Sequence, residues 1–167
     1  MSHLDHKATS PATVACHVIT ISDTRTEAND TSGNAIVDLL GRAGHHIASR
    51  LIVRDDASAI RAALEAGLAD PAAHVIITTG GTGITSRDST YEVVSALLEK
   101  RLDGFGELFR ALSYQEIGSA AMLSRACAGT ARGKVILSLP GSQAAVGLAM
   151  TKLVIPELGH LVREVSR

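Results

Sequence analysis

The segment Thr78-Thr79-Gly80-Gly81-Thr82-Gly83-Ile84-Thr85-Ser86-Arg87-Asp88 holds the densest chemical potential in the chain. Three glycines in four positions let a backbone turn sharply and bring its N–H groups close to a ligand, because no Cβ intervenes. The apolar run His74-Val75-Ile76-Ile77 before it reads as a buried strand, and residues 89–100 after it read as an amphipathic helix. Strand, glycine-rich turn and helix N-terminus together make an anion site, and phosphate is the anion that suits it. Asp88 ends the loop in a carboxylate, the group through which Mg2+ bridges protein and phosphates. The loop has no lysine, so it is not a P-loop, and G-x-G-x-x-G fails at Ser86.

Other polar residues fall where further strands run into loops, at 22–30, 54–56 and 140–142. Asp55 and Asp56 precede a helix that needs only one of them as its N-cap, which leaves the other surplus. Asp55 with Asp88 would make a metal pair, since Mg2+ takes one or two carboxylates plus substrate phosphates. Asp30, before Thr31-Ser32-Gly33, reads first as an N-cap. Ser142, after Pro140-Gly141, is a cap that also stands at a second helix N-terminus open to an anion. Ser89-Thr90-Tyr91-Glu92 spells a capping box, which would free Asp88 for a ligand. Arg110 and Arg125 read mainly as solvated, with phosphate contact as the alternative, and the seven histidines lack metal-site spacing.

Positioning these loops requires alternating elements. Strands are expected at 13–21, 46–53, 74–79 and 134–139, with helices at 31–43, 57–69, 89–100 and 104–117. Residues 126–128 would pair with 134–139 across a turn, and helices would follow to Val165 with a break at Pro156. The alternation predicts an α/β fold: three α/β/α layers around a mostly parallel sheet. One domain is expected over 13–167, with residues 1–12 a flexible tail that is no signal peptide.

Composition narrows the function classes. The chain is 46% hydrophobic but only 2% aromatic, so its core must be aliphatic. A net charge of −1 without a basic block argues against nucleic acid as a partner. Cys16 and Cys127, far apart and outside any C-x-x-C, read as buried reduced thiols of a cytoplasmic protein. No segment reads as approaching the ~20 apolar residues that span a membrane, so no membrane role is expected.

Assembled in order, these motifs resemble the MoaB/Mog family of molybdenum-cofactor biosynthesis proteins, from about Thr13 to Leu161. The residues that carry the resemblance are Asp30-Thr31-Ser32-Gly33, Thr79-Gly80-Gly81-Thr82-Gly83 with Arg87-Asp88, Gly104-Phe105-Gly106-Glu107, Leu123-Ser124-Arg125-Ala126 and Leu139-Pro140-Gly141-Ser142. The resemblance implies a molybdopterin-binding domain that assembles as trimers, sometimes paired into hexamers. It also implies Mg2+-dependent transfer of AMP from ATP to molybdopterin, with Asp55 and Asp88 as functional carboxylates and metal ligands. Substrate contacts would then fall on Ser22, Asp30, Gly33, Thr79, Gly80, Gly81, Thr82, Gly83, Glu107, Arg125, Pro140, Gly141 and Ser142. A molybdenum-insertion enzyme would be a further partner. Two rivals stay open: a non-catalytic pterin-binding scaffold, and a nucleotide-handling enzyme of the competence/damage-inducible type.

Overall fold

The computed structural model describes residues 2–167. Its centre is a six-stranded sheet in the order β2-β1-β3-β6-β5-β4. Strands β1 (Ala15–Ile21), β3 (Val75–Thr79) and β6 (Lys134–Leu139) are rich in Val, Ile and Leu and almost wholly buried, as central parallel strands must be when both faces are covered. Strand β2 (His46–Val53) lies at one edge and pairs in parallel with β1. At the other edge, β5 (Cys127–Ala131) runs antiparallel to β6 and to the two-residue β4 (Lys100–Arg101), so β5 alone opposes the common direction.

Alternating side chains send each strand's residues to two separate cores. Val18, Val75, Ile77, Val135 and Leu137 pack under α2 (Thr31–Arg42), α5 (Asp103–Ile117), α6 (Gln143–Ala149) and α7 (Ile155–Val165). Ile19, Ile21, Ile76 and Ile136 pack under α3 (Ala57–Ala69) and α4 (Thr90–Leu97). The expected three-layer α/β/α arrangement is what the chain forms. Cys16 and Cys127 are free and buried, and burial pushes the Cys16 thiol pKa up to about 12.

Several expectations need correction. Residues 1–12 were expected as a loose tail, yet His3–Ala8 form helix α1, capped reciprocally by Ser2 and Asp5 and tied to α7 by a Lys7–Glu157 ion pair and a His6–Glu164 contact. The helix expected over 89–100 stops at Leu97, because Lys100 and Arg101 leave it to pair with Thr130 and Gly129. No break occurs at Pro156. A π-turn, Met150–Val154, precedes it, with Ile155 N–H bonded to the Met150 carbonyl, so the helix widens where proline has no N–H to give. The resulting continuous helix, Gln143–Val165, is after all long and apolar enough to cross a membrane. Its buried residues Val146, Met150, Val154, Leu158 and Val162 belong to the core under the sheet.

Candidate active site

Parallel β1, β2, β3 and β6 deliver their loops to one end of the sheet, where open α/β folds bind ligands. Gly80 sits where three strands meet: its N–H donates to the Leu139 carbonyl at 3.1 Å, and a Cβ there would strike the Ile21 carbonyl. Its φ of +104° and the +67° of Gly81 are left-handed, which glycine adopts without cost. A cavity of about 230 Å³ opens here, lined by Thr20, Ser22, Asp30, Thr79, Gly80, Gly81 and Gly141 among others.

At one corner of this end a buried carboxylate has both of its oxygens paired. Asp30 is 1% exposed, and its Oδ1 accepts from Gly33 N–H at 3.0 Å, so it does cap α2. Its Oδ2 accepts from Thr20 Oγ1 at 2.7 Å and from Arg50 Nη2 at 3.0 Å. Burial works to raise the Asp30 pKa, but these hydrogen bonds outweigh it and hold the carboxyl below the usual range.

The opposite corner is underpaired. Asp56 caps α3 through Ala59 N–H at 3.0 Å, which leaves Asp55 surplus as expected. Asp55 Oδ1 is buried without a hydrogen-bond partner, and so are Ser89 Oγ and Thr90 Oγ1. A Cβ on Gly81 would come within 3.3 Å of that Asp55 oxygen and collide with Thr90 Oγ1, so two of the three lie against the glycine loop. Burial, then the charges of Asp88 and Asp23, raises the Asp55 pKa, with Arg87 opposing. Asp88 behaves differently: its Oδ2 accepts from Thr85 Oγ1 at 2.7 Å and Thr85 N–H at 2.8 Å. Those bonds to Thr85 lower its pKa and close the tip of the loop. Hard carboxylate oxygens, one of them orphaned, fit a divalent cation such as Mg2+.

Around this pair, Asp23 accepts from Asp55 N–H at 3.1 Å and pairs with Arg87, which also reaches the Asp55 carbonyl at 3.5 Å. Arg125, expected mainly as a solvated side chain, is instead partly buried and tied to the loop. Its Nε and Nη2 donate to the Gly83 carbonyl at 2.9 and 2.6 Å, and its N–H donates to the Thr82 carbonyl at 3.2 Å. It also pairs with Glu92, which takes that carboxylate away from the expected capping box, and Ser89 makes no side-chain cap bond. Arg110 likewise donates to carbonyls rather than to solvent.

The remaining candidates divide. Thr79 Oγ1 donates to the Pro140 carbonyl at 2.7 Å, which ties the two loops together. Ser22 Oγ accepts from Thr24 and Arg25 N–H and borders the cavity. Ser142 caps α6 through Ala145 N–H at 3.2 Å. Gly33 serves the Asp30 cap, since a Cβ there would overlap that carboxylate. Glu107 stands exposed on α5, outside the lining of this cavity. Thr20, Asp23 and Arg50 were not anticipated. Asp23 alone had a usable signal, its place directly after a strand in a candidate loop.

Comparison with known proteins identifies the family. Residues 17–160 match the family described as "Probable molybdopterin binding domain". Molybdenum cofactor biosynthesis protein B of Bacillus cereus is 54% identical over 168 residues, spanning 100% of this chain and 99% of its own. The Bacillus subtilis protein of the same name is 49% identical over the same coverage. The crystal structure of the tungsten cofactor synthesizing protein MoaB from Pyrococcus furiosus superposes with a TM-score of 0.86 at 40% identity, covering 95% of this chain and 100% of that one. This chain belongs to the MoaB/Mog family of molybdenum-cofactor biosynthesis proteins.

Proposed function

We propose that the protein adenylylates molybdopterin: AMP passes from ATP to the terminal phosphate of the pterin, and pyrophosphate leaves. The observation that carries this reading is the pair of buried, partnerless oxygens on Asp55 and Thr90 against the glycine loop. Buried polar atoms are otherwise nearly always paired, so a group of orphans in a cleft points to a ligand. The description of the family, a probable molybdopterin binding domain, supports the pterin half of the reading.

The chemistry asks little covalent help of the chain. A pterin phosphate oxygen forms the new bond to the α-phosphorus as the bond to pyrophosphate breaks, and the attacking group is already an anion, so no base is required. Gly81 would present its backbone N–H to a phosphate oxygen, whereas Gly80 spends its own on the Leu139 carbonyl and serves to turn the chain, and Arg125 fixes the Gly83 end of the loop. Asp23 would hold Asp55 in place through its backbone. Mg2+ held by Asp55 and Asp88 would neutralise charge on the α-phosphate and on the departing pyrophosphate. The free thiols suit a cytoplasmic setting.

A second reading, a pterin-binding scaffold without transfer, draws on Asp88, one of whose oxygens is committed to Thr85. Purified protein with ATP, Mg2+ and molybdopterin separates the two. Adenylylation predicts pyrophosphate and adenylylated pterin in equal amounts, and no pyrophosphate without pterin. Pterin retained with no pyrophosphate released would overturn it. A homo-oligomer, trimer or hexamer, is supported by the exposed apolar side chains Leu108, Tyr114, Ile117, Met122 and Leu123 on α5 and the turn after it. Light scattering should find a trimer or its double at micromolar concentration, and monomer alone would contradict this.

A further inference from the structure

Arg125 borders a second cavity, of about 320 Å³, enclosed by α4, β4, α5 and β5. Its polar lining is dominated by hydrogen-bond donors. Arg101, Arg110 and Arg125 all line it, together with Tyr91 and Ser124. Arg125 is ion-paired with Glu92, and Arg101 with Asp103 at 3.4 Å. Arg110 has no carboxylate partner among the described residues: its Nη1 donates to the Ala126 carbonyl at 3.1 Å and more weakly to that of Ser124. Three cations therefore face two anions.

The hydroxyls add to the donor excess. Tyr91 Oη accepts from Arg101 Nη2 at 3.0 Å, and Ser124 Oγ accepts from Ala126 N–H at 3.4 Å, so each hydroxyl keeps its proton to give. Ala126, Ala128 and Met122 supply apolar wall, where charge-assisted bonds are stronger than in water. Cys127 reports the same convergence. Burial raises its thiol pKa, while the guanidinium groups of Arg101, Arg110 and Arg125 all pull it down.

We propose that this cavity is a second anion site, built for a small phosphate-class anion and distinct from the glycine loop. Either free inorganic phosphate or the phosphate of a small ester meets that chemistry. Arg125 donates to the Gly83 carbonyl from the guanidinium that lines the cavity, so an occupant here touches the group that holds the loop. The proposal does not depend on adenylylation, and its test involves no turnover.

The protein has no tryptophan and two tyrosines, Tyr91 in the cavity wall and Tyr114 exposed on α5. Tyr114→Phe therefore leaves Tyr91 as a single fluorescent reporter. Titration with inorganic phosphate should change its emission saturably, with a midpoint of ~1 mM. Arg110→Gln should raise that midpoint about tenfold or more, as loss of a charge-assisted bond does. If that variant does not fold, Arg101→Gln on the exposed edge strand carries the same test, with a shift of roughly fivefold. Glycerol phosphate, titrated alongside, tells the sources apart: tighter binding than inorganic phosphate assigns the site to an ester, and weaker binding assigns it to the free ion. No saturable response at millimolar phosphate, or a midpoint unchanged in the folded arginine variants, would overturn the proposal.

Discussion

Two aspartates at the same end of the sheet occupy opposite situations. Asp30 is almost wholly buried, and it receives hydrogen bonds from Thr20, Gly33 and Arg50. Asp55 is half-buried and has an oxygen with no partner, and its neighbours include two further carboxylates, Asp88 and Asp23. Paired buried charges hold a fold in register, and removing one partner leaves the other stranded. An unpaired carboxylate among like charges destabilises its own fold and suits a site that a cation completes. On the proposed reading, the first corner serves stability and the second serves the chemistry.

The largest expected effect is on turnover at the underpaired corner. Asp88→Asn should cut adenylylation on the order of 100-fold, as loss of a main electrostatic group does. Asparagine can still accept at the Thr85 turn, so the melting temperature should move little. Retained specific activity in an early-melting variant would show Asp88 to be structural.

At the paired corner the effect should be on stability. Asp30→Asn should lose about 2–3 kcal/mol at neutral pH, because Arg50 is left without its counter-charge. The Asp30 pKa is depressed, so its contribution is present above the unfolded carboxylate value near ~3.9 and is lost as pH falls through the lower folded value. The gap between variant and parent in melting scans should therefore close in acid. A gap that stays constant down to strongly acidic pH would break the assignment.

Between the corners, two substitutions sharpen the layout. Gly83→Ala places a Cβ 2.7 Å from Asp88 Oδ2 and should weaken ATP use roughly tenfold by displacing that carboxylate. Ser142→Ala removes the α6 cap and should cost ~1 kcal/mol of stability. If the Pro140-Gly141-Ser142 turn receives the pterin's anionic end, its apparent KM for molybdopterin should rise more than that for ATP. Equal effects on both KM values would mean that the turn has another role.

What the sequence revealed follows from range. Residues 46–53 and 57–69 were read with the bounds of β2 and α3, because hydrophobic period and a cap are local signals. That one of Asp55 and Asp56 would cap α3 was legible too, since a helix needs one N-cap, whereas which of them does so was not. The capping box at Ser89 was locally sound and failed, because Glu92 finds a full positive charge on Arg125, 33 residues away. Thr20, Arg50 and Asp23 act across strands and loops, and no spacing in the chain encodes those meetings. The β4 edge was missed because two residues carry no period.

The most direct test measures one variant twice. Asp55→Asn removes a carboxylate whose pKa is raised, a group that favours the fold below the unfolded value and opposes it as pH rises through the folded one. At neutral pH the variant should melt at or slightly above the parent temperature, and pyrophosphate release with ATP, Mg2+ and molybdopterin should fall on the order of 100-fold. A lower melting temperature with turnover preserved would contradict the account, because Asp55 would then be part of the scaffold.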